Sequence, residues 1–222
     1  MTSMLNVLYE DNHCIAVLKE ARVLTAGDQT GDVSLLDRVK DYIKEKYRKP
    51  GKVFVGLVHR IDRPVSGIVL FARTSKAAAR LSEQFRKGNV RKIYRAIVEG
   101  TVRDASGELV DWLVKNEQTN TVRSVAVGSP SSRESRLRFR RLQSARGLTL
   151  LEVTPETGRS HQIRVQLAGR GHAIYGDGKY GSKYSLRGAI ALHAAELTFD
   201  HPTLHQPVTV SAADPDSWRG LL

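Results

Sequence analysis

One cysteine, Cys14, occurs among the 222 residues. A disulfide framework and a cysteine-based zinc site both need more, so both are excluded. A reducing cytoplasm is the expected setting. No apolar run approaches the ~20 residues that cross a bilayer. The opening MTSMLNVLYEDNH lacks the basic n-region and long apolar h-region of a secretory signal. No membrane partner is therefore expected. Acids are also scarce: 23 Asp+Glu stand against 35 Lys+Arg, a formal charge of +12. So basic a chain points to a polyanion, and in the cytoplasm that means nucleic acid. With 41% hydrophobic residues, the chain can bury a core. One domain over residues 1–222, acting as a monomer, is the expectation.

Several catalytic signatures are missing too. There is no G-x-x-x-x-G-K-[ST] phosphate loop, no H-E-x-x-H and no G-x-S-x-G elbow. GDGKYG, residues 176–181, matches G-x-G-x-x-G, but a dinucleotide fingerprint needs a strand before it and a helix after it. Here a helix lies upstream and SKYSLRG starts a helix poorly, so the segment reads as a flexible glycine turn. His201 and His205 sit in HPTLH, where proline opposes a helix that would align them on a metal; no metal and no cofactor are expected. Ser66 or Ser160 with His59 or His161 would form a nucleophilic triad only by assembly in space.

The pattern that is present is strand-rich. VLYED and CIAVLKE read as a strand pair across the turn DNH. Ser34 caps a helix through about Arg48, with Leu35, Leu36, Val39, Tyr42, Ile43 and Tyr47 as its apolar stripe. VFVGLV and GIVLFAR read as strands joined by HRIDRPVS. Thr74 caps a second helix that stops at Gly88. KIYRAIVEG alternates as a strand, with Tyr94, Ala96 and Val98 on one face. ELVDWLV and TVRSVAV are short strands, GSPSSRES a mobile loop, and RLRFRRLQ with LTLLEVT a hairpin across SARG. HQIRVQLAGRG is a short helix; IALHAAELTF and PVTVSA are strands. The class is α+β, a mixed and largely antiparallel sheet with a few packed helices.

Basic residues fall in three clusters: Arg86, Lys87, Arg91, Lys92 and Arg95; then Arg136, Arg138 and Arg140 on one strand face; then Arg159, Arg164 and Arg170. Together they suggest a phosphate-contacting surface. Asp62 lies between Arg60 and Arg63 in HRIDRPVSG. Considered alone it is a loop ion pair worth ~0–1 kcal/mol.

HRIDRPVSG, the K-x-Y-x-A of Lys92 to Ala96, and GRSHQIR (158–164) stand in the order seen in RluA-type RNA pseudouridine synthases. GDGKYG and ALHA (191–194) resemble that family as well, and the likeness runs from about Val7 to Val210. It implies a pseudouridine synthase catalytic domain that isomerises uridines in structured ribosomal or transfer RNA, without metal or cofactor. It implies that Asp62 is the catalytic aspartate, Tyr94 the tyrosine that packs on the base and takes the C5 proton, and Arg164 the partner of the aspartate. Arg60 matches a position facing RNA, and Leu192 a pocket-lining one. Lys92, Arg159, His161 and Gln162 fall in the same motifs and are assigned to RNA or substrate binding. Such a site needs an ionised carboxylate, and a neighbouring arginine lowers a carboxyl pKa by ~1–3 units.

The chain departs from the family at Pro64-Val65, and at KEARVLTAG, where relatives often carry N-K-P-x-G. A small RNA-binding domain ahead of Val7 is not expected. Two other readings remain: an RNA-binding or RNA-chaperone protein that kept the fold without catalysis, and a serine hydrolase using Ser66 or Ser160.

Overall fold

The computed structural model describes residues 5–222. In chain order they form β1 (Val7–Glu10), β2 (Cys14–Lys19), α1 (Leu35–Lys46), β3 (Gly56–Leu57), β4 (Ser66–Ala72) and α2 (Ser75–Lys87). Next come β5 (Arg91–Glu99), β6 (Ser106–Asn116), β7 (Thr121–Val125), β8 (Arg133–Ala145) and β9 (Leu148–Pro155). α3 (Gln162–Ala168), β10 (Leu192–Asp200) and β11 (Pro207–Ser211) complete the series. The strands pair antiparallel in every register that follows, so the α+β expectation holds. The chain divides into two compact units: one runs through Arg91 and includes Ala194–Ala213, and the other is Lys92–His193 with Asp214–Leu222.

In the first unit, Asp11 makes the β1–β2 turn. Its Oδ1 accepts the N–H of His13 at 2.6 Å and of Cys14 at 2.8 Å, the local bonding that makes Asp a turn residue. β2 lies along β4 from Cys14 opposite Ala72 to Lys19 opposite Gly67. β4 is buried from Gly67 onward, which explains its unbroken IVLFA run. Cys14, Ala16, Ile68, Leu70 and Ala72 pack on Ala77 and Leu81 of α2 and on Leu197 and Phe199 of β10.

Both helices start where expected. Ser34 forms a reciprocal capping box with Asp37. Thr74 accepts the Ala77 N–H, and Gly88 closes α2 in the left-handed conformation at φ 77°. One strand is shorter than its sequence suggests. Of VFVGLV only Gly56 and Leu57 pair, opposite Ala72 and Phe71, and Phe54 is exposed. β10 is also a neighbour of β4, so little of β4 is left for β3.

In the second unit the strand order is β5-β9-β8-β6-β7. β8 and β9 form the expected hairpin, and Arg146 and Gly147 at its tip both have positive φ, 52° and 74°. That pair of signs matches the twist a two-residue hairpin requires. Two successive turns run into GSPSSRES, closed by Ser129 N–H to Ala126 O and Ser132 N–H to Ser129 O, and its last three residues begin β8.

Candidate active site

Asp62 sits in a loop held by main-chain bonds on both sides. Ahead of it, the Thr25 hydroxyl donates to Ile61 O at 2.9 Å and accepts the Ile61 N–H at 3.4 Å. Behind it, Arg63 O accepts from Lys19 Nζ at 3.1 Å and from Arg22 N–H at 2.7 Å. Val65 N–H closes a turn onto Asp62 O at 3.1 Å, with Arg63 and Pro64 at the corner. Val65, half of the unusual Pro64-Val65 pair, is buried and anchors that turn.

Lys19 is the residue that sequence reasoning missed here. It is fully buried, and Nζ donates to the carbonyls of Glu20, Val23 and Arg63. Three ammonium protons meet three acceptors, as a buried charge requires. Burial pushes its pKa down to about 7, while the Asp62 carboxylate pulls it back up. KEARVLTAG thus braces the loop through Lys19, Arg22 and Thr25.

The flanking arginines differ. Arg60 is exposed. Arg63, for which the sequence suggests no role, donates through Nε to Arg22 O and pairs through Nη2 with Asp32 at 2.6 Å. His59 lies flat on Phe85, with centroids 4.4 Å apart. Its Nε2 accepts the Leu70 N–H at 2.9 Å, so it fastens the start of the loop to β4.

Gly67 ends the motif at φ 125°, and a Cβ there would overlap the backbone of Ala194. Only glycine allows this approach.

The second unit holds the other candidates. Tyr94 is half-buried on β5 opposite Val153. Lys92, two residues earlier on the same face, has its pKa lowered by burial.

Arg164 is buried in α3, and its Nε and Nη2 fork onto Asp177 at 2.7 and 2.8 Å. Its guanidinium also lies 5.0 Å from the ring centre of Tyr180. Asp177 is 1% exposed and belongs to GDGKYG. This segment reads as a flexible glycine turn in sequence, yet it supplies a buried carboxylate that fixes Arg164.

The Tyr180 hydroxyl accepts the Val122 N–H at 3.0 Å and is hydrogen-bonded to His161 Nδ1 at 2.6 Å. Gln162 is buried. Its Oε1 accepts from Thr157 Oγ1 and from Arg159 N–H, and its Nε2 donates to Arg136 O. It thereby fixes the turn that carries Arg159, which is exposed and donates through Nε to Glu134 O. Leu192, at the start of β10, is 3% exposed.

The arginines of β8 do not form an open cationic stripe. Arg136 pairs with Glu108, Glu134 and Glu156, Arg138 with Glu156, and Arg140 with Glu152. Carboxylates on β6, β8, β9 and the segment after β9 neutralise the face expected to meet phosphate.

Asp11, Cys14 and His201 also bring ligand-type atoms within 4.8 Å of one another. His201 Nδ1 accepts the N–H of Thr203 and Leu204, so Nε2 carries the proton and donates to Asp11 at 2.6 Å. Burial first, then the Asp11 carboxylate, pushes the Cys14 thiol up to about 12. In this arrangement the thiol and the ring nitrogen both donate to the Asp11 carboxylate. The trio is a hydrogen-bonded clasp between the β1–β2 turn and the segment after β10.

Residues 13–169 match the family model described as RNA pseudouridylate synthase. The chain is 32% identical over 213 residues to Ribosomal large subunit pseudouridine synthase C of Vibrio vulnificus (strain CMCP6), covering 93% of this chain but 64% of that protein. It is 31% identical over 242 residues to tRNA pseudouridine synthase C of Yersinia pestis, covering 99% of this chain and 90% of that one. Among solved structures, Human RNA Pseudouridylate Synthase Domain Containing 4 superposes with a TM-score of 0.80 at 22% identity, covering 96% of this chain and 91% of that chain. That likeness establishes the fold.

Proposed function

Since the chain belongs to the RNA pseudouridylate synthase family, we propose that it isomerises uridine to pseudouridine in ribosomal or transfer RNA. In this reaction the bond between N1 and the sugar breaks, the base turns, C5 bonds to the sugar, and the C5 proton is lost while N1 gains one. The balance needs no electron donor or acceptor.

The observation that carries the reading is the Asp62 loop. Residue 62 stands between two anchored backbone positions, Ile61 and Arg63, and its carboxylate acts electrostatically on the buried Lys19 that bonds Arg63 O. Fixed geometry of this kind suits a group that must meet one sugar carbon in one orientation. We assign Asp62 as the group that attacks the sugar or takes its proton. Tyr94 packs on the base and removes the C5 proton, and Arg164, aligned by Asp177, supports the ionised carboxylate. Arg60, Lys92, Arg159 and His161 take RNA groups, Gln162 acts by holding the turn beneath Arg159, and Leu192 lines the base pocket. The protein acts on this reading as a cytoplasmic monomer with one catalytic domain.

Uridine must leave its stack to react, at a cost of a few kcal/mol that phosphate contacts offset. The direct test uses ribosomal and transfer RNA labelled with tritium at uridine C5. Release of tritium to water is expected with the purified protein. RNA binding with no release from either RNA would favour instead the reading of a binding protein that kept the fold.

A further inference from the structure

The loop after Asp177 carries a second feature that the proposed reaction leaves unused. The rings of Tyr175 and Tyr184 stack at 4.7 Å with 15° between their planes. Tyr175 is half-buried, whereas Tyr184 is 49% exposed, so one aromatic surface is presented on top of another.

The arrangement is held from several directions. Tyr175 N–H donates to Ile97 O on β5, and Tyr175 O accepts the Ala191 N–H. Ser182 Oγ accepts the N–H of Gly176 and of Tyr184, and the Lys183 N–H donates to Glu99 Oε1 at 2.8 Å. Gly176, at φ 87°, passes so close to Ala189 O that a Cβ would clash.

Residues 175–189 also contain Lys179, Lys183 and Arg187, all exposed, and their single acid is Asp177, which is buried against Arg164. Exposed cations around an exposed ring are what an unpaired nucleotide requires: a face for the base and charge for its phosphates.

We propose that the outer face of Tyr184 is a stacking site for one unpaired nucleotide of the RNA substrate, with Lys183 and Arg187 contacting the adjoining phosphates. The inference rests on the reading that this protein acts on RNA. A ring already stacked and braced loses little freedom when a base arrives, which favours binding. The site lies seven residues beyond Asp177, in the loop that aligns Arg164, so it selects for RNA in which a nucleotide near the target is unpaired.

The test uses full-length protein carrying Asp62→Asn, so that the RNA is bound and not turned over. Binding of fluorescein-labelled oligouridylate is compared with that of a duplex RNA. Tyr184→Ala should weaken oligouridylate binding roughly tenfold and leave duplex binding unchanged. Tyr184→Phe, which keeps the ring and loses the hydroxyl, should bind as the parent does. Tyr184→Leu keeps an apolar cover over Tyr175 and should fail as alanine does, with an unchanged melting temperature. Irradiation of the parent with 5-bromouridine RNA should cross-link the peptide containing Tyr184.

No binding of oligouridylate by the parent overturns the proposal, as does equal binding by parent and Tyr184→Ala, or an equal loss with duplex RNA. Tritium release by wild type is scored separately. Release with an indifferent Tyr184 removes this site alone, and a Tyr184-dependent affinity without release removes the catalytic reading alone.

Discussion

Arg164 and Lys19 show how single residues support the proposed chemistry from behind. Arg164 gives two parallel bonds to a buried carboxylate, a planar match that lysine cannot reproduce. Removing one member of a buried pair leaves the other uncompensated, at ~3–5 kcal/mol. Asp177→Asn is therefore expected to lower the unfolding free energy in urea titrations by up to that amount and to reduce tritium release. Arg164→Lys should lose activity while keeping more of the fold. Lys19 predicts a pH effect of defined sign. Its folded pKa near 7 lies below the ordinary lysine value of 10.5, so the folded chain sheds this proton first. Stability should rise between about pH 7 and pH 10.5, by up to roughly 5 kcal/mol, and Lys19→Met should flatten the rise in urea titrations. Neither role is legible in the sequence. Lys19 looks like a solvated residue at a strand end, and its burial depends on three carbonyls that a turn brings together. Asp177 sits among glycines, which signal a turn and say nothing of a partner 13 positions earlier. Arg164, by contrast, stands inside a motif specific enough to single it out.

Secondary-structure elements were legible where the signal is local. Ser34, Thr74 and Gly88 mark helix ends through bonds to their own neighbours, and α1 and α2 begin at the expected residues. Ser34→Ala should cost ~1 kcal/mol and leave catalysis intact, as thermal melts and tritium release would show together. VFVGLV was misleading because a strand's extent depends on which edge is open. Its apolar run fits a strand, yet only two residues pair with β4. HRIDRPVSG lies between these cases. Its role as a loop follows from Pro64, but the demand for Gly67 arises from the backbone of Ala194, far away in sequence. Left-handed strain and overpacking together set the expected cost of Gly67→Ala at roughly 2–5 kcal/mol. Circular dichroism melts of that variant check it.

At the scale of the molecule, net charge points to a polyanion and is a poor guide to where the charge is usable. A chain of +12 invites the use of every arginine cluster for RNA, whereas the β8 cluster is matched by carboxylates. Acid should weaken the fold through groups such as Asp11. Burial opposes its ionisation, but bonds from Tyr9, Cys14, His13 and His201 prevail and hold its pKa at about 2. Its folded pKa lies below the unfolded value, so its contribution is complete above about pH 4 and is lost as pH falls through about 2. That contribution is about 2 kcal/mol at most, and Asp11→Asn should remove this part of the acid transition.

The central claim is that Asp62 performs uridine isomerisation in RNA. The most direct measurement maps pseudouridine chemically in ribosomal and transfer RNA from cells lacking this gene, complemented with wild type or with Asp62→Asn. Wild type should restore at least one pseudouridine that the variant, expressed at the same level, leaves as uridine. Identical maps from the two complemented strains, each with the modification restored, would contradict the account.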